Sequence, residues 1–163
     1  MTRKYLYIVL IFDIHMITDE EFRDKFRQGM DCSMQALADI AEDVFITEEE
    51  AYKLASCFGA GMLISGGACG AITGPLIALG LRYGNCEPND FEQKAIVNSK
   101  RIEFVTKVKE AFGGCVTCKE LLGVDLMDPE TRKIAREDGT IERRCPGLIR
   151  IAIAILRDMF ETR

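Results

Sequence analysis

From Leu54 to Leu81 the chain carries no charged side chain. A span of that kind has to be buried in protein or in lipid, so it limits the possible folds more than any other feature. About 20 consecutive apolar residues are enough to cross a bilayer. Here seven glycines, three hydroxyl residues and Pro75 dilute the hydrophobicity, and no basic cluster flanks either end. Gly66, Gly70, Gly74 and Ala78 instead fall four apart, on one face of a helix. A face without side chains lets a second backbone approach closely. The expectation is a tightly packed central helix with no membrane span, and Cys69 sits among its first glycines in "GGACGAITGPLIALG".

The flanking sequence is punctuated for helices. Thr18 with Glu21 and Thr47 with Glu50 have the form of capping boxes, in which each side chain satisfies a free N–H at a helix start. Asp31 can cap a helix over "CSMQALADIAEDVF", and a third over "EEEAYKLASCFGAG" ends at Gly59 and Gly61. Asp90 or Asn89 caps a long helix to Phe112, with Phe91, Ala95, Ile102, Val105, Val108 and Phe112 as its predicted buried stripe. Gly113 and Gly114 stop it. A brief helix follows "GCVTC", a polar one starts at Asp128 and Pro129, and Pro146 opens a last one to Phe160. Ile151 to Ile155 also alternates as a strand would, but Pro146 followed by the run to Phe160 favours helix. The fold class expected is all-α, a compact single-domain bundle of about six to seven helices over residues 16–163. Residues 1–15 read as an extension outside the fold, because Asp13 interrupts their apolar run and Met16 opens a cleaner start. A short edge strand and a signal sequence are the alternatives for that segment.

Composition removes several function classes. The net charge is -5 and no Lys/Arg stripe carries interleaved aromatics, which argues against a nucleic-acid partner. A single histidine, His15, leaves no basis for a His-based triad or a His-rich zinc site. No phosphate loop or dinucleotide fingerprint occurs.

Cysteine is the residue left to carry chemistry. There are seven, and an odd count speaks against a fully paired secreted scaffold and for a reducing cytoplasm. Cys32, Cys69, Cys118 and Cys145 each fall at a predicted helix start. Free N–H groups and the positive end of the helix dipole there favour thiolate, the species that attacks disulfides and binds metals. Cys57, inside a predicted amphipathic helix, reads as a buried hydrophobe, and Cys86 as an exposed loop thiol. Cys115 and Cys118 form one CxxC, but no second CxxC completes a zinc ribbon.

The order Cys32, Cys69-Gly70-Ala71-Ile72-Thr73-Gly74, Cys118 and Cys145 resembles the C_GCAxxG_C_C family of redox-active proteins. "DCSMQAL", "ALGLRYG", "CKELLG" and "RCPGLI" are similar as well, so the likeness runs over roughly residues 20 to 160. It implies a redox role without a settled substrate. It also points to the cysteine-bearing domain of certain multihaem cytochromes that hold an iron–sulfur cluster, although no CxxCH is present for c-type haem.

Two chemistries and one bland alternative follow. The first is thiol–disulfide exchange, with Cys69 favoured as nucleophile, a resolving thiol drawn from Cys118 and Cys145, and Cys32 in the same pocket. Gly70 and Gly74 would wall that pocket and admit a partner closely. The second uses Cys32, Cys69, Cys118 and Cys145 as ligands to an iron–sulfur cluster or zinc. The third is a helical interaction module that buries its cysteines. A redox partner protein and self-association both stay open.

Overall fold

A computed structural model describes residues 16–62 and 64–161. The expected N-terminal extension, residues 1–15, lies outside the described residues. Among the described residues eight α-helices follow in order: α1 Asp19–Arg27, α2 Cys32–Ala38, α3 Glu48–Ala55, α4 Gly70–Tyr83, α5 Phe91–Ala111, α6 Cys118–Leu122, α7 Pro129–Glu137 and α8 Thr140–Glu161. A 3-10 turn, Glu42–Val44, lies between α2 and α3. The fold is all-α, with one helix more than the upper end of the expected six to seven. Among the described residues β pairing is limited to one isolated antiparallel bridge, Ala68 with Thr117. No described helix is long and apolar enough to cross a membrane.

The caps form as their chemistry requires. Thr18 and Thr47 close reciprocal boxes with Glu21 and Glu50. Asp31 accepts from the Ser33 and Met34 amides, and Asp128 from those of Glu130 and Thr131. Two helices organise the core. α4 lies against α2, α3, α5 and α8, while α8 reaches α1, α2, α4, α5, α6 and α7. The apolar charge-free span is buried this way, with Ala71, Ile72, Ala78 and Leu79 all but inaccessible.

Several expectations shift. Gly66 stands outside α4, at φ +67°, so only Gly70, Gly74 and Ala78 of the small-residue series share its face. α2 stops at Ala38 instead of running to Phe45, as the ladder tightens to i→i−3 bonds from Ile40 to Leu37 O and Ala41 to Ala38 O, and the Asp39 carbonyl accepts from Arg157 Nη2 at 2.7 Å. α3 ends at Ala55. Its buried face is Ala51 and Ala55, and Cys57, two residues on, falls off that face and is exposed. The predicted stripe of α5 holds in its second half, at Val105, Val108 and Phe112, and fails in its first half, where Phe91, Ala95 and Ile102 are exposed. Phe104, Val108 and Phe112 are buried, four apart, whereas Phe91 is 76% and Ile102 63% exposed. α8 begins at Thr140, so Cys145 and Pro146 lie inside a helix and not at its start. Pro146 removes the donor that Glu142 would receive. The apolar face from Ile141 through Cys145, Ile149 and Ala152 to Met159 continues across it, and that packing outweighs one lost bond.

Candidate functional site

Cys69 and Cys118 are brought together by backbone pairing that no helix signal announces. The Cys69 amide donates to Val116 O at 3.0 Å, and the Cys118 amide to Gly67 O at 2.8 Å. The Lys119 amide adds a third bond to Gly66 O at 3.1 Å. This short antiparallel stretch sets the N-cap of α4, Cys69, beside the first residue of α6, Cys118. Thr117 and Glu120 hold that start with a third capping box, of the same form as the two read from the sequence but missed there.

Chemically the two sulfurs form one unit. The neighbouring Cys118 sulfur, acting as a partner to the Cys69 thiol, and burial together push the Cys69 pKa well above the usual thiol range. The same contact lowers the pKa of Cys118, and the Gly70 amide donates to its sulfur. That Gly70 amide is the bare N–H expected from the glycine-rich surroundings of Cys69, although it serves Cys118. Of the two sulfurs it is Cys118 whose pKa is lowered, whereas the sequence favoured Cys69 as the nucleophile.

Cys32 and Cys145 complete the group. Burial pushes Cys32 up to about 12, despite a hydrogen bond from the Ala60 amide. Burial pushes Cys145 up as well, with repulsion from Cys32 and Cys118 adding to it. Cys69 feels Cys32 and Cys145 in the same sense. The four thiols are thus within electrostatic reach of one another, and a buried site of this kind supports one negative charge at a time. Cys32, Cys118 and Cys145 line a cavity of about 70 Å³ together with Phe26, Leu122 and Arg132. All four sulfur-bearing residues are buried, between 2% and 7% exposed. Cys115 is half-buried, and Cys57 and Cys86 are exposed.

The glycines act through contact. A Cβ on Gly70 would meet Cys32 Sγ at 2.3 Å and the Ser33 amide nitrogen at 2.8 Å. One on Gly74 would meet Ser33 O at 2.7 Å and the Ala36 Cβ at 2.9 Å. Both glycines therefore face α2 and set how near Cys32 comes. As for a metal centre, no group of three or more His, Cys, Asp or Glu among the described residues is arranged to hold an ion.

A family model described as "Putative redox-active protein (C_GCAxxG_C_C)" matches residues 30–159, which hold all four of these cysteines. No curated protein and no solved structure matches the chain.

Proposed function

The chain belongs to the C_GCAxxG_C_C family, and on that premise we propose that its redox chemistry is a dithiol–disulfide exchange carried by Cys118 and Cys69. The observation that carries this reading is the backbone pairing that sets buried Cys69 beside buried Cys118, with Cys118 shifted down and Cys69 shifted up by their mutual contact. Such a pair holds one thiolate and one proton, the state needed to open a disulfide.

In the first step Cys118 Sγ attacks one sulfur of a disulfide oxidant. The S–S bond breaks, a mixed disulfide forms on Cys118, and the expelled thiolate takes the Cys69 proton. The Cys69 thiolate then attacks Cys118 Sγ, forming the Cys69–Cys118 disulfide. The second thiolate leaves and is protonated from solvent. Two cysteines lose two electrons and the oxidant gains them as two thiols. Cys32 and Cys145 stay protonated and supply a buried wall around Cys118, and no step is routed through a metal.

The test uses 2-hydroxyethyl disulfide, followed by acid quench, alkylation and peptide mapping by mass spectrometry. The expected product is a Cys69–Cys118 disulfide. With Cys69→Ser the reaction should stop at a hydroxyethylthio adduct on Cys118, and with Cys118→Ser neither product should form. Oxidation confined to the exposed Cys57 and Cys86, with Cys118 left free, would overturn the reading.

A further inference from the structure

A second, wider cavity of about 390 Å³ lies against the thiol chamber, and Phe26, Asp31, Arg136 and Ile141 line both. It forms a vestibule to the buried sulfurs. The inner chamber has room for a few waters, or for the –CH2–S– end of a small molecule. With Cys118 only 3% exposed, a disulfide on the surface of a folded protein has no approach to it. The oxidant must therefore be small enough to be held by the vestibule while one sulfur enters the chamber.

The charges at the vestibule narrow the choice. The Asp31 carboxylate is engaged in capping α2, where it accepts from Ser33 and Met34. Arg136 lines both cavities and Glu142 the outer one, and neither carries an ion pair among the described residues. A cation and an anion left open in one cavity suit a ligand bearing both a carboxylate and an ammonium group. A net-neutral zwitterion also avoids repulsion from a chain of net charge -5. Resting on the dithiol reading above, we propose that the vestibule selects small zwitterionic disulfides of the amino-acid kind, Arg136 taking the carboxylate and Glu142 the ammonium.

The experiment compares cystine, 2-hydroxyethyl disulfide and cystamine as oxidants at one pH. Loss of alkylatable Cys118 is followed by mass spectrometry, and each rate is divided by that of exposed Cys86 in the same sample. This ratio removes the intrinsic reactivity of each disulfide. The normalised rate should be highest with cystine, and Arg136→Gln should reduce the preference for cystine over 2-hydroxyethyl disulfide by about fivefold, the size expected of one exposed charge contact. Equal normalised rates for the three oxidants, or a preference unchanged by Arg136→Gln, would overturn the vestibule assignment and leave dithiol exchange standing. If no small disulfide oxidises Cys118, the dithiol reading fails and this inference falls with it.

Discussion

Cys118 and Cys32 are both cysteines at the first position of a helix, yet they end with opposite acid–base character. The difference is the number of donors and the water lost. Cys118 receives the Cys69 thiol and the Gly70 amide, whereas burial dominates at Cys32 and keeps it neutral. Opposite shifts have opposite consequences for stability. Cys118 is deprotonated in the fold before it is in the unfolded chain, so its contribution grows as pH rises toward the ordinary thiol range. Cys32, Cys69 and Cys145 have raised folded values. Above about pH 9 the unfolded chain sheds protons that the folded protein retains, and stability falls by up to about 1.4 kcal/mol per pH unit for each such thiol. For Cys32 the fall continues to about pH 12. Urea titrations from pH 7 to 10.5 should therefore show stability declining above pH 9, with a shallower decline in Cys32→Ala. A flat profile would mean these thiols are solvated.

At the scale of elements, the approach of α4 to α2 rests on glycine at two positions. Gly74 faces backbone, so an added methyl group cannot be accommodated by turning a side chain. Gly74→Ala should destabilise the fold by about 1–3 kcal/mol, the usual range for overpacking. Gly80, in the same helix, has nothing within 4 Å of its would-be Cβ and sits at the exposed end. Gly80→Ala should raise stability by about 0.5–1 kcal/mol through helix propensity alone. Thermal melts of the two variants distinguish contact from propensity. If both shift the midpoint the same way, α2 and α4 are not in backbone contact.

The whole molecule is tied across its long sequence separations by one buried cation. Arg157, near the end of α8, donates to Asp43 Oδ2 at 2.9 Å and to the Asp39 carbonyl at 2.7 Å. It is 8% exposed, and its Nη1 has no hydrogen-bond partner among the described residues. The contact joins the last helix to the loop that ends α2, and α2 carries Cys32. Removing one member of such a group strands buried charge and costs about 3–5 kcal/mol. Arg157→Ala should lower stability by that amount, read by denaturant unfolding, while a loss below 1 kcal/mol would place the guanidinium in water.

Local chemistry was legible because it depends on neighbours a few residues away. The capping boxes at Thr18 and Thr47, the caps at Asp31 and Asp128, and the stops at Gly113 and Gly114 need only residues at fixed short offsets, and they delivered an all-α fold. The candidate cysteines were legible in type for the same reason. Their roles were not. The pairing of Gly66–Cys69 with Val116–Lys119 joins segments about fifty residues apart and sets the two thiols side by side, which lowers the pKa of Cys118. The start of α8 before Pro146, the stop of α2 at Ala38, the exposure of Cys57 and that of the first half of the α5 stripe likewise depend on what packs opposite. Periodicity marks an apolar face, but only tertiary contact chooses among faces of similar hydrophobicity, because burial energy is set by the area a neighbour covers. Residue types and helix caps were thus determined by the sequence alone, whereas the meeting of Cys69 with Cys118 was decided by the tertiary structure, through a backbone pairing and a desolvation that no short window contains.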